Sequence, residues 1–142
     1  MFVNEETVND YKKQGVALLR NVISSDWLEK LAKGIEKNFL DPSKYKCVYE
    51  QENGKEIFYD DYCNWQRIEE YKDFIFNSDI AKIAAQLMQS KKVNLFHEHV
   101  LIKEPGAKKR TPWHQDQPYY CVDGKDNCSL WIPLDKIIKE VC

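Results

Sequence analysis

The hydrophobic period changes at Val93, and that change constrains the fold more than any other feature of the chain. Before it, apolar residues recur at helical spacing: Leu28, Leu31, Ala32, Ile35 and Phe39 form one stripe, and Ile80, Ile83, Ala84, Leu87 and Met88 form another. Recurrence every three or four residues gives a helix one face to bury. From Val93 to Lys103 the period falls to two. That predicts a strand with Val93, Leu95, His97, His99, Leu101 and Lys103 on one face and Phe96, Val100 and Ile102 on the other. Helices first and strands second predict an α+β domain.

Local signals place the boundaries. Asn4 caps a short helix with Glu5 and Glu6 in its first turn, and Gly15 ends it. Val16 to Leu19 is a compact apolar run that reads as a strand. Asp26 with Glu29 resembles a capping box, and Asp41-Pro42 stops the stripe that follows. Residues 43 to 62 are polar and aromatic, with Gly54 suggesting a turn between two short strands. Ser78 or Asp79 opens the second striped helix, with Lys91-Lys92 at its end. Pro105-Gly106 breaks the long strand. Trp113 to Cys121 and Ser129 to Leu134 read as extended, with a turn at Asp123-Gly124 between them.

A chain of 142 residues suits one domain, spanning 1–142. Its net charge of -2, from 21 basic and 23 acidic side chains, offers no clustered basic excess for nucleic acid. No apolar stretch is long enough for a membrane span, and the N-terminus lacks a signal peptide's basic and apolar blocks. A cytoplasmic location is the expectation. The five cysteines form no Cys-x-x-Cys pair and are odd in number, which argues against structural zinc and a disulfide framework.

Chemistry concentrates at His114-Gln115-Asp116. Residues two apart in a strand point to one side, so the imidazole and the carboxylate would converge. Two histidines and one carboxylate on one face bind non-haem iron(II) and leave positions open for oxygen and a 2-oxoacid. A bare His-x-Asp is common and more often structural. Here it sits within Pro112-Trp113-His114-Gln115-Asp116-Gln117-Pro118-Tyr119-Tyr120, whose aromatic side chains can wall a metal from bulk water. Lys108, Lys109 and Arg110 form a basic loop nearby that could attract an anion, although a solvated loop explains it more simply.

Three blocks, His99 to Gly106, Thr111 to Tyr120 and Ser129 to Asp135, together resemble the phytanoyl-CoA dioxygenase family of iron(II)- and 2-oxoglutarate-dependent oxygenases. The resemblance is specific over residues 93 to 136. It implies helices leading into the first part of a double-stranded β-helix, a jelly roll of cupin type, incomplete at the C-terminus. His114 and Asp116 match two iron ligands. His99, Gln115 and Trp131 match positions at the 2-oxoglutarate pocket. For His97 and His99 the competing reading is histidines hydrogen-bonded along a barrel wall; for Trp131 it is core packing. The implied cofactors are iron(II) and 2-oxoglutarate, with ascorbate a further candidate. The implied reaction is oxygen-dependent hydroxylation of a small organic or acyl substrate, with 2-oxoglutarate converted to succinate and carbon dioxide. Asp116 is retained, which implies hydroxylation rather than halogenation.

The family's second histidine ligand and its 2-oxoglutarate-binding arginine lie well downstream. The residues after Asp116 contain neither histidine nor arginine. The expectation is therefore a C-terminal truncation with an incomplete active site. The alternatives are a non-catalytic fragment acting as an interaction module, and a different metal site using His97, His99, His114 and Asp116.

Overall fold

A computed structural model describes residues 2–50, 57–107 and 110–137. The elements run α1 (Glu5–Gln14), α2 (Ser25–Leu40), β1 (Cys47–Glu50), β2 (Ile57–Tyr62), α3 (Glu69–Asn77), α4 (Ile80–Met88), β3 (His99–Lys103) and a short 3₁₀ turn over Gln117–Tyr119. The class is α+β, as expected, but β1 and β2 come between α2 and α3 rather than after the helices. Among the described residues the β structure is one antiparallel sheet, β1-β2-β3. Gly54, expected to turn between β1 and β2, lies outside the described residues.

Caps follow the sequence closely at α1. Asn4 accepts from the Thr7 backbone N–H at 2.7 Å, and Gly15 closes the helix at φ 76°, where a residue without Cβ fits best. At α2 the cap is Ser24, which accepts from Trp27 N–H, rather than the Asp26 box. Helix α3 carries no side-chain cap at Ile68, so the usual signal for its start is missing from the sequence. Its buried face is Tyr71 and Phe74.

Four expected extended segments are shorter than expected or irregular. Val16 to Leu19 is not a strand: Ala17 and Leu19 turn inward while Val16 and Leu18 face solvent, and no ladder joins them. The long strand begins only at His99. Its register explains why, since His99 pairs with Tyr62, the last residue of β2; one further bond joins the Cys63 N–H to the Glu98 carbonyl, and residues 93–97 run past the ladder's end. Residues 113–121 and 129–134 are likewise irregular apart from the 3₁₀ turn, for they meet no partner strand among the described residues.

Two apolar clusters hold the helices. Val3 and Val8 meet Ile83 and Leu87, joining α1 to α4, with Tyr11, Ala17, Leu19 and Val22 around them. Tyr59, Ile68, Tyr71 and Val100 join the sheet to α3, with Leu31 and Ile35 of α2 packed alongside. In the second cluster lies a polar knot. Asn38 and Asp61 are both fully buried. Asn38 donates to Asp61 at 2.7 Å, Ser43 gives Asp61 its backbone N–H at 2.9 Å and its hydroxyl, and Tyr59 donates at 3.2 Å. A buried carboxylate is tolerated only with such a set of donors. Burial alone would raise the Asp61 pKa; the bonds from Ser43, Asn38 and Tyr59 outweigh it and bring it down to about 2. The knot clamps β2 onto α2 from beneath.

Among the described residues, the other face of the sheet is exposed at β3. In β3, Val100 and Ile102 turn toward the helices, leaving His99, Leu101 and Lys103 outward. Below them in register stand Tyr62, Asp60 and Phe58 of β2.

Candidate metal centre

His114 and Asp116 converge without the strand that the alternation argument supposed. The bend before the 3₁₀ turn brings His114 Nε2 to 3.2 Å from Asp116 Oδ1. Each side chain is held at its far atom. His114 Nδ1 lies 2.7 Å from the Pro112 carbonyl oxygen, which can only accept, so Nδ1 carries the proton. Asp116 Oδ2 accepts from the Ser129 hydroxyl at 2.7 Å and from the Tyr120 hydroxyl at 3.2 Å. In the neutral ring two lone-pair atoms, Nε2 and Oδ1, therefore face one another. That arrangement is favourable only with a cation between them, a proton or a metal ion. The Ser129 hydrogen bond is the largest influence on Asp116 and holds its carboxyl below the usual carboxylate range, with help from Tyr120 and His114 against a contrary effect of burial.

The donor set thus fits two ligands of an iron(II) site, one imidazole and one carboxylate oxygen, each oriented by a hydrogen bond to its outer atom. Among the described residues no group of three or more His, Cys, Asp and Glu side chains is gathered around a metal position. The four-residue site of His97, His99, His114 and Asp116 is therefore not assembled.

Tyr120 links this loop to the sheet. Its ring meets Phe96 at 5.0 Å and His97 at 5.7 Å between centroids, while its hydroxyl bonds Asp116. His97 contacts His99 at 6.3 Å and Tyr62 at 5.8 Å. A chain of ring contacts thus runs from His99 through His97 to Tyr120, whose hydroxyl bonds Asp116. Buried His97 Nδ1 has no hydrogen-bond partner among the described residues.

The pocket residues fare unequally. His99 is bound to Asp60, Nε2 to Oδ1 at 2.9 Å. Gln115 is exposed, and among the described residues its side chain makes no hydrogen bond. Trp131 is 71% exposed, so it is not the core residue that packing alone would suggest. Of the basic loop, Lys108 and Lys109 lie outside the described residues, and Arg110 is exposed. Sequence reasoning missed Ser129, Tyr120 and Asp60. Spacing gives no sign of Ser129, thirteen residues from its partner. Asp60 had one signal: in a strand its same-face neighbours are the aromatic Phe58 and Tyr62, and a carboxylate there needs a partner.

Among the described residues no helix is long and apolar enough to cross a membrane. A family model, phytanoyl-CoA dioxygenase (PhyH), matches residues 11–141. No curated protein and no solved structure matches the chain.

Proposed function

We propose a function that proceeds from one premise: the chain belongs to the phytanoyl-CoA dioxygenase family. Membership gives an oxygenase-type activity of the 2-oxoglutarate-dependent kind. The finer reading is an iron(II)- and 2-oxoglutarate-dependent hydroxylase acting on a small organic or acyl substrate, within a domain of double-stranded β-helix type. One observation supports it most, the 3.2 Å approach of His114 Nε2 to Asp116 Oδ1 with both outer atoms already satisfied.

His114 and Asp116 would hold iron(II). When bound, the metal and 2-oxoglutarate would supply the oxidising power, with 2-oxoglutarate, oxygen and a substrate C–H bond giving succinate, carbon dioxide and the hydroxylated substrate. The protein's part is to orient. Pro112 fixes the His114 tautomer, and Ser129 with Tyr120 occupies Asp116 Oδ2, so Oδ1 is the oxygen that would be offered to a metal. The exposed Gln115 and Trp131, with His99 on the exposed face of β3, would line the 2-oxoglutarate position. Phe96, Tyr119 and Trp113 are exposed around the loop and would exclude water once substrate covers them.

The test is titration of the 142-residue chain with iron(II) and 2-oxoglutarate under argon. A metal-to-ligand charge-transfer band that disappears in His114→Ala and Asp116→Ala supports the reading. A folded chain that gives no band favours the alternative, a non-catalytic module acting through interaction.

A further inference from the structure

Ser129 reaches back to Asp116 Oδ2 at 2.7 Å from a segment with little apolar burial to hold it. Residues 121–130 contain no helix or strand, and all of them but Cys128 are exposed. Polar contacts must then fix the path of the chain there. One side chain supplies two of them. Gln117 opens the 3₁₀ turn directly after Asp116. Its Nε2 donates to the Val122 carbonyl oxygen, and its Oε1 accepts from Asn127 Nδ2 at 3.1 Å. A carbonyl oxygen can only accept, which assigns Nε2 to Val122 and leaves Oε1 for Asn127. One amide thus ties down both ends of residues 122–127. It does so beside Asp116 at one end and two residues short of Ser129 at the other. Among the described residues the Gln117 side chain makes no hydrogen bond to His114 or Asp116, so any effect on that pair has to pass through another group.

We propose that Gln117 is a positioning residue: its amide staples residues 122–127 to the 3₁₀ turn, and the staple keeps the Ser129 hydroxyl on Asp116 Oδ2. The claim rests on the reading of His114 and Asp116 as metal ligands for its consequence, and on the geometry alone for the staple. Without Gln117 the Ser129–Asp116 bond must close a thirteen-residue loop by itself. With Gln117 in place only the short stretch from Asn127 to Ser129 is left to order, and a shorter free loop costs less entropy to close. Loss of the staple leaves Ser129 more often in water. Asp116 Oδ1 is then held less firmly toward His114 Nε2. Tyr120 grips the same Oδ2 at 3.2 Å from within the turn and does not need the staple, so the loss is partial.

The experiment compares the full 142-residue chain with Gln117→Met, which keeps the length of the side chain and removes the amide, with Asn127→Ala, with Ser129→Ala and with the Gln117→Met/Ser129→Ala double variant. Cobalt(II) titration followed by visible absorbance reads metal affinity. In the metal-free chain, a nuclear Overhauser contact between the Ser129 β-hydrogens and the Tyr120 ring reads the position of Ser129, because the two hydroxyls share Asp116 Oδ2. The wild type is expected to show that contact and Gln117→Met to lose it. Gln117→Met is also expected to weaken cobalt(II) binding about threefold to tenfold, the factor that one hydrogen bond of ordinary net strength supplies. In the Ser129→Ala background the same replacement is expected to change nothing further, since coupled residues are not additive. Overturning results are a wild type without the Ser129–Tyr120 contact, a contact that survives in Gln117→Met, equal cobalt(II) affinity in the two proteins, or an equal loss with and without Ser129. A wild-type chain that takes no cobalt(II) sinks the metal reading alone, and the Overhauser comparison still upholds or overturns the role of Gln117. Where Gln117→Met fails to fold, Asn127→Ala decides: a weakened contact upholds the staple and an unchanged one overturns it.

Discussion

The Ser129 hydroxyl donates to Asp116 Oδ2 across 2.7 Å, joining two irregular stretches of chain thirteen residues apart. The bond occupies the carboxylate oxygen turned away from His114 and leaves Oδ1 facing Nε2. Ser129→Ala is therefore expected to weaken divalent metal binding by roughly tenfold or more, the usual loss when an outer hydrogen bond to a ligand is removed. Cobalt(II) titration followed by visible absorbance measures it. Tyr120→Phe removes the longer bond of 3.2 Å and should cost less. The direction with pH is fixed too. Ser129 holds the Asp116 carboxyl low, so its loss raises that pKa, and acid should release the metal at a higher pH than in wild type.

Acid stability should be governed by Asp61. Its folded pKa is about 2 against an ordinary 3.8. A carboxylate with a depressed folded pKa contributes stability above the unfolded value and loses it as pH falls through the folded one. The window is therefore about pH 4 down to pH 2, and the contribution at neutral pH is about 2 kcal/mol, taken from ~1.4 kcal/mol per pKa unit. Asp61→Asn should flatten the pH dependence of urea unfolding in that window and lower stability at pH 7. A variant as pH-sensitive as the wild type would remove Asp61 from this role.

How far these features could be read from sequence depends on what each needed. Helix α1 was legible from its caps and α4 from its stripe alone, for Asp79 makes no side-chain cap bond and the helix ends at Met88, short of Lys91-Lys92. Helix α3 was not, since Ile68 gives no capping side chain. The strand at His99 was legible by its alternation, but its start was not, because the start is set by where β2 ends. His114 and Asp116 lie together for a reason the alternation did not supply: a bend and three outer hydrogen bonds hold them there, not a strand's pleat. Asp60, Tyr120 and Ser129 depend on tertiary placement, which no spacing rule carries.

Gly34 of α2 packs tightly against Tyr71 of α3. A Cβ there would lie 2.6 Å from Tyr71 Cε1 and 2.9 Å from Cδ1. Tyr71 is 4% exposed and its hydroxyl donates to Asn38 at 3.3 Å, so the ring cannot swing aside without breaking the knot. Gly34→Ala gains about 1 kcal/mol of helix propensity. Overpacking a close helix contact costs roughly 1–3 kcal/mol. The net effect is expected to be destabilising, with a lower thermal midpoint by calorimetry. A raised midpoint would mean that the two helices separate more readily than the Tyr71 contact implies.

Trp131 separates the roles of stability and binding. At 71% exposure, and without a ring contact among the described residues, it contributes little to folding. Trp131→Ala should alter unfolding free energy by no more than about 0.5 kcal/mol, the range for surface positions. If Trp131 lines the 2-oxoglutarate position, the same change should weaken cosubstrate binding several-fold, because it removes the aromatic surface packed against the cosubstrate's methylenes, and burial of apolar area is worth roughly 25 cal/mol per Å². Calorimetric titration beside a urea melt reads both quantities on one preparation. A large loss of stability would show that Trp131 is packed in solution and is a core residue after all. Unchanged stability with unchanged affinity would place it outside the site and shift the burden of holding 2-oxoglutarate onto His99 and Gln115.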